Sequence, residues 1–167
     1  MRRVVEAAEV AELAKRTDDE VGADRLMERP DPVEIVSRAE LSPLKPTVLV
    51  LANGVRVAYV ESDIAVDTVS MQATSPGGWL LLPAEDVLEA QLIGSIVFES
   101  GVGDFDQVAL SRFLSGDVAQ VFTTIGESRE ALVGNAESDD LELLFQLIYL
   151  YFTEPRAEEQ ALDALVG

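Results

Sequence analysis

The sequence predicts an α+β fold, a two-layer sandwich in which a mainly antiparallel sheet carries helices on one face. Three observations support this prediction. Segments with the alternating pattern of strands are joined by short glycine-containing turns. Segments with the apolar spacing of helices come in pairs after these strands. The chain has 167 residues, 48% of them apolar, which is enough for one domain with its own core.

A helix and a connector are predicted for the first part of the chain. Apolar residues at helical spacing predict a helix over residues 4–16, and four prolines interrupt residues 23–46, with one short extended piece at 33–36. The domain proper is expected at residues 47–167, with its C-terminal part missing. Because the N-terminus lacks the apolar core of a signal peptide and Gly167 falls inside a helical pattern, we expect a piece of a longer chain.

Three strands are predicted next. Residues 47–51 form an apolar run, and Asn53-Gly54 is the pattern of a two-residue hairpin turn. Val55, Val57 and Tyr59 then alternate with other residues, as in a half-buried strand. A third strand is expected over residues 66–73, before a turn at residues 75–78.

Two pairs of helices are predicted, with two strands between them. Pro83 and Gly101 bracket a helix over residues 84–100, and a second helix begins near Asp106. Strands follow at residues 117–125 and 129–136. Asp139, with Glu142 three residues later, predicts a capping box for the next helix, which ends before Pro155. Its apolar stripe comprises Leu141, Leu144, Phe145, Ile148 and Phe152, and a last helix is expected over residues 157–166.

Charge and composition restrict the chemistry of the chain. The 31 Asp and Glu residues exceed the 12 Lys and Arg residues, for a net charge of -19. This acidity disfavours binding to nucleic acids or anionic membranes and favours a cationic partner, although solubility alone also accounts for it. The chain has no histidine and no cysteine. Imidazole or thiolate metal sites and Ser-His-Asp or Cys-His catalysis are therefore excluded within this chain.

Other candidate sites are weak. Asp104 with Asp106, or residues 18–20, offer carboxylates for calcium, but neither group has the spacing of a calcium loop, so solvated loop carboxylates are expected. Trp79 is either a lid over the sheet edge or a partner contact. Among Tyr149, Tyr151 and Phe152, helical spacing turns at least one tyrosine away from the core.

Four short motifs resemble a known family when taken in order. They are residues 51–57 (Leu-Ala-Asn-Gly-Val-Arg-Val), 75–78 (Ser-Pro-Gly-Gly), 101–105 (Gly-Val-Gly-Asp-Phe) and 147–156 (Leu-Ile-Tyr-Leu-Tyr-Phe-Thr-Glu-Pro-Arg). Together they resemble the non-catalytic third domain of bacterial pitrilysin/insulinase-type zinc metallopeptidases, over residues 28–167. The resemblance implies a metallopeptidase-domain fold of the LuxS and processing-peptidase type.

The family's first domain carries a His-x-x-Glu-His zinc motif on a helix, and the third domain repeats the fold without it. In this chain the resemblance puts the equivalent positions near Ile93, Gly94, Ser95, Ile96 and Val97. None of these residues is a zinc ligand. The resemblance thus implies no catalytic residue, no metal site and no cofactor in this chain, with zinc in the catalytic domain of the parent protein.

The function implied is a non-catalytic domain of a periplasmic or secreted bacterial zinc metalloendopeptidase. It would bind peptide substrate and help to close a chamber made of two halves, in contact with the other domains of its own polypeptide. The alternative is a free-standing interaction subunit that pairs with a catalytic partner chain, and a homodimer also stays open. A third hypothesis is a carboxylate-based hydrolase, which requires activity in the purified chain after chelator treatment.

Overall fold

The computed structural model describes residues 25–43 and 45–166 and confirms the predicted α+β class. Its strands form two three-stranded antiparallel sheets, with strand orders β1-β2-β3 and β4-β6-β5. The first sheet contains β1 (Ile35–Glu40), β2 (Thr47–Leu51) and β3 (Arg56–Tyr59). The helix predicted over residues 4–16 lies outside the described residues.

The first sheet differs from the sequence prediction in three ways. The extended piece expected at residues 33–36 is the six-residue strand β1, which pairs with β2 across the predicted start of the domain. The turn between β2 and β3 has three residues instead of two. The Leu51 carbonyl accepts from the Gly54 N–H at 2.9 Å, the Leu51 N–H donates to Val55, and Gly54 has φ 88. Strand β3 is exposed along its whole length, so the prediction that this strand is half-buried is wrong.

The second sheet supports the larger core. It contains β4 (Thr68–Pro76), β5 (Ala119–Ile125) and β6 (Arg129–Glu137), with β6 in the centre. Its register pairs Val121 with Gly134, and Gly134 with Met71. Residues that alternate along these strands point to one face and pack into the core, while those between them are exposed. This one-sided burial is the pattern of an antiparallel sheet with helices on one face.

Two helices follow β4. Helix α1 (Val87–Ser100) begins three residues later than predicted, after a turn in which the Asp86 side chain makes no capping bond. It ends at Gly101, whose φ of 86 favours glycine. Helix α2 (Gln107–Phe113) begins where predicted, because Asp106 Oδ1 accepts from the Ala109 N–H at 2.7 Å. The carboxylate considered for calcium therefore caps a helix.

Helix α3 (Leu141–Thr153) packs on β5 and β6, and helix α4 (Glu159–Val166) packs beside α1. The capping box predicted at Asp139 is absent, because residues 138–140 form a 3-10 turn. Asp140 instead accepts from the Val118 N–H at 2.7 Å, which joins the start of α3 to the start of β5. The Asp140 carboxylate therefore binds the residue before β5 and makes no capping bond to α3.

The core forms where α3 meets the sheet. Leu144 is fully buried, and a methyl group added at Gly134 would lie 2.7 Å from Leu144 Cδ1, so the glycine leaves room for this leucine. Leu26, from the predicted connector, also belongs to the core. The predicted stripe is partly wrong: Leu144 and Ile148 are buried, but Phe145 and Phe152 are 50% and 56% exposed.

The buried face of α3 instead includes Leu147, Leu150 and Tyr151. Burial raises the pKa of the Tyr151 phenol above its usual 10.0. Tyr149 is the tyrosine that faces away from the core, as helical spacing required.

A buried serine connects the two helices that flank the sheet edge. Ser100 Oγ, at the end of α1, donates to the Ile96 carbonyl at 2.7 Å and accepts from the Glu158 N–H at 2.8 Å. Arg156 Nη1 donates to the Gly103 carbonyl at 3.0 Å in the same region. These bonds position α4 against α1. No helix among residues 25–43 and 45–166 is long and apolar enough to span a membrane.

The contact between α3 and the sheet can be tested by core truncation. We expect Leu144→Ala to lower the free energy of unfolding by about 2–5 kcal/mol, because the substitution leaves a cavity between α3 and β6. Leu88→Ala is the matched control, since Leu88 lies on a helix but is 69% exposed. Urea unfolding followed by circular dichroism measures both, and equal losses would contradict the assigned core.

Candidate functional site

An open cleft lies along the edge of the second sheet, between α1 and β5. It is a cleft of about 430 Å³. One side of α1, the end of β5 and one residue of α4 line it: Gln91, Gly94, Ser95, Phe98, Glu99, Phe122, Thr123, Thr124, Ile125 and Leu165. Because consecutive residues of β5 from both sides of the strand contribute, the cleft opens onto the strand edge itself.

The hydrogen-bond pattern shows which backbone groups face this edge. The Glu137 N–H donates to Val118 and the Gly126 N–H donates to Arg129, so the pairs at both ends of the β5–β6 ladder are hydrogen-bonded. Antiparallel pairs alternate between bonded and non-bonded positions. Within β5, the N–H and C=O groups of Ala119, Val121, Thr123 and Ile125 therefore point away from β6.

Gly94 fixes the distance between helix and strand. Thr123 Oγ1 donates to the Gly94 carbonyl at 3.2 Å. A methyl group added at Gly94 would lie 2.6 Å from the Thr123 carbonyl oxygen. The helix thus approaches β5 closely only because residue 94 has no side chain, and the Thr123 carbonyl is covered by it. Ile125 is the other residue of β5 that lines the cleft and whose backbone groups point away from β6.

The five positions compared with the zinc motif do not form a ligand set. Gly94 and Ser95 line the cleft, Val97 is buried in the core, Ile93 is 42% exposed and Ile96 is half-buried. Their side chains offer one hydroxyl and no imidazole or carboxylate. Within the described part of the chain, no three Asp or Glu side chains cluster in a way that suits a metal. The residues present at this helix therefore do not fit zinc.

Sequence reasoning missed three lining residues that give the cleft its character. Phe98 and Phe122 stack across it, with ring centroids 5.5 Å apart and planes at 21°. Glu99 follows Phe98 at the same end of α1. Phe98 lies four residues after Gly94, so helical spacing alone put both on one side of α1. The strand pattern also put Phe122 on the face opposite Val121, but neither signal joins the two rings.

The other aromatic candidates lie elsewhere. Trp79 is half-buried in a 3-10 turn after β4. Its backbone N–H donates to the Gly126 carbonyl at 3.0 Å. Tyr151 is in the core and Tyr149 is on the outer side of α3. None of these residues lines the cleft.

The close approach at Gly94 can be tested directly. We expect Gly94→Ala to destabilise the protein by about 1–3 kcal/mol through overpacking against Thr123, more than the gain of about 1 kcal/mol from helix propensity. Ser95→Ala is the control, because Ser95 is the next residue of the same helix and is exposed. Thermal unfolding of both variants measures the effect, and a stabilised Gly94→Ala protein would refute the contact.

Comparison with known proteins places this geometry in context. No protein-family model matches the chain. The chain is 28% identical over 113 residues to the probable zinc protease PqqL of Haemophilus influenzae, covering 68% of this chain and 12% of that protein. It is 26% identical over 166 residues to the zinc protease PQQL-like of Arabidopsis thaliana, covering 95% of this chain and 15% of that protein.

Two solved structures share the fold. The periplasmic protease PqqL from Escherichia coli matches with a TM-score of 0.81 and 22% identity, over 98% of this chain and 18% of that one. A variant of the ferredoxin protease FusC, in complex with Arabidopsis ferredoxin, matches with a TM-score of 0.69 and 19% identity, over 98% of this chain and 19% of that one.

The chain therefore spans between 12% and 19% of the length of these relatives. Its sequence and its fold are similar to one part of zinc proteases of the PqqL type, which confirms the resemblance to pitrilysin/insulinase-type metallopeptidases.

Proposed function

We propose that the chain is a non-catalytic domain of a longer zinc metalloendopeptidase and that it holds an extended peptide in the cleft between α1 and the end of the β5 edge. One observation carries the proposal. The helix beside this edge keeps its close contact with Thr123 and leaves an open cleft, yet its positions 93–97 carry no zinc ligand. A cleft without the means to cut suits binding rather than hydrolysis.

The end of β5 supports a peptide ligand in particular. Backbone groups that point away from β6 and that α1 leaves uncovered, beginning with those of Ile125, would hydrogen-bond an extended peptide whatever its side chains, which suits a peptidase that accepts many sequences. The neighbour FusC was solved with a protein, ferredoxin, bound to it. The other domains of the parent chain would close over the bound peptide. The division into a connector, residues 1–46, and a domain, residues 47–167, is part of this proposal.

In this proposal the parent protein as a whole binds zinc, cleaves peptides and determines the cellular location. The zinc ion would be held by a separate catalytic domain, because this chain has no histidine. A bacterial periplasmic location is proposed from the neighbour described as the periplasmic protease PqqL.

A second candidate function rests on the outer side of α3. Phe145, Tyr149 and Phe152 are each at least 41% exposed on a helix whose opposite side is buried. A helix that is apolar all round is usually covered on both sides. This observation favours a protein partner, which would be the rest of the parent polypeptide or, in the alternative, a separate catalytic subunit. Reading the gene distinguishes them: a His-x-x-Glu-His motif in the same open reading frame supports the parent polypeptide.

Metal content tests the non-catalytic assignment. After chelator treatment and dialysis against zinc, we expect the purified chain to retain less than stoichiometric zinc and to leave peptides uncut, because its side chains do not fit the metal. Elemental analysis and a quenched fluorescent peptide give the two readouts. One tightly held zinc ion per chain together with cleavage would overturn the assignment, and cleavage without metal would favour the carboxylate-based hydrolase.

Removing one backbone donor tests the binding edge. We expect Ile125→Pro to weaken the binding of extended peptides about ten-fold, because proline removes an outward N–H that β6 does not use. Ile125→Val is the matched control, since valine keeps the N–H and the β-branched shape. Fluorescence anisotropy with labelled peptides measures affinity, and circular dichroism verifies folding. Equal affinities of the two variants would exclude this edge as the binding site.

A further inference from the structure

We infer that two copies of this chain pair through the open edge of β4, so that their two three-stranded sheets join into one sheet of six strands. The inference is independent of the proposed peptide binding, which concerns the opposite edge of the sheet. Three features of β4 support it: a row of backbone groups that point outward, the absence of charged side chains, and a register in which the strand is complementary to itself.

The two edges of the second sheet differ in how they are covered. Within residues 25–43 and 45–166, α1 packs against the edge strand β5, whereas the other edge strand, β4, has extensive contacts only with β6. Every second side chain of β4 is exposed, and the side chains between them are half-buried against the core. The edge of β4 is therefore open to a further strand, in contrast to the edge of β5.

The hydrogen-bond pattern shows which backbone groups of β4 point outward. The Asp67 carbonyl and the Gly77 N–H bond to residues that flank β6, at 3.1 and 3.4 Å, so the odd-numbered positions pair with β6. Bonded and non-bonded positions alternate in an antiparallel pair. The N–H and C=O groups of Ser70, Gln72 and Thr74 therefore point away from β6, and no backbone group in the described part of the chain bonds to them.

The absence of charge along β4 favours pairing with a second copy. None of its nine residues is charged, although the chain as a whole has a net charge of -19. Edge strands are commonly protected from pairing by charged side chains or by proline, and in β4 only the last residue, Pro76, is of this kind. Like charges directly opposite each other destabilise a strand pair. An uncharged edge is thus a surface on which two equally acidic chains can meet.

The register explains why the partner strand is another β4. Antiparallel pairing about a two-fold axis at Gln72 sets this residue opposite Gln72 of the second copy, and sets Ser70 opposite Thr74 on both sides of the axis. Each of these three pairs exchanges two backbone bonds, because all of their backbone groups point outward. The same register sets Met71 opposite Ala73 on the core side of the sheet. The contact is identical for both copies, so it closes as a dimer.

Sedimentation equilibrium of the purified chain at about 0.15 M and about 1 M NaCl tests the inference. We expect a dimer that tightens at the higher salt, because the net charge then repels less. Gln72→Lys sets two cations opposite each other at the axis and should weaken association about ten-fold, even though it lowers the net negative charge. Gln120→Lys is the matched control, because it makes the same change at an exposed position of β5 and should leave the dimer intact.

Amide hydrogen exchange of the wild-type chain gives a second readout that does not depend on the folding of a variant. The amides of Ser70, Gln72 and Thr74 should exchange more slowly as the protein concentration rises, because pairing uses these N–H groups. A chain that stays monomeric at both salt concentrations would overturn the inference. So would a dimer that Phe145→Ser abolishes and Gln72→Lys leaves intact, since such a dimer forms through the exposed side of α3.

Discussion

The packing of Leu144 into the space left by Gly134 is the contact on which the rest of the structure depends. It lets α3 lie on the central strand β6, because a methyl group at position 134 would come within 2.7 Å of Leu144 Cδ1 and the leucine side chain would have to shift. Asp140 then joins the start of α3 to the Val118 N–H, just before β5. The ladder with β6 and this bond together hold β5 beside α3, and the cleft lies between β5 and α1.

Gly94 has the same role at the cleft as Gly134 has in the core, because each glycine lets a helix lie close to a strand. Gly94 allows α1 to approach the Thr123 carbonyl, and Ser100 ties the end of the same helix to the start of α4 through the Glu158 N–H. Neither contact involves a metal ligand. The geometry of helix and strand edge is thus maintained by packing and by hydrogen bonds between the Thr123 and Ser100 hydroxyls and backbone groups. For this reason the fold of a zinc protease can persist in a chain that contains no imidazole.

The sequence predicted the elements of the fold better than their environment. The two hairpin strands, the glycine stop at Gly101 and the Asp106 cap were all predictable, because each depends on residues within a few positions. The exposure of Phe145 and Phe152 could not be predicted from the sequence. Periodicity identifies the apolar side of a helix, but it does not show whether another part of the described chain covers that side. The capping box at Asp139 is absent because residues 138–140 form a 3-10 turn, in which Asp140 binds the Val118 N–H, 22 residues away in sequence.

The candidate site shows the same limit. The resemblance pointed to residues 93–97, of which Gly94 and Ser95 line the cleft, but the stacked pair of Phe98 and Phe122 joins α1 to β5, with α2 between them in sequence. Only the three-dimensional approach set by Gly94 brings them together, and no local sequence signal encodes that approach.

The outer side of α3 has a consequence for how the protein behaves at high concentration. The exposed side chains of Phe145 and Phe152 favour contact with other copies of the chain, whereas the net charge of -19 makes those copies repel each other. Repulsion of this kind reaches only about 8 Å at physiological ionic strength and about 3 Å at 1 M salt. Ionic strength thus controls self-association of the chain. At low salt, charge repulsion keeps the molecules apart, and at high salt their exposed apolar side chains can come into contact.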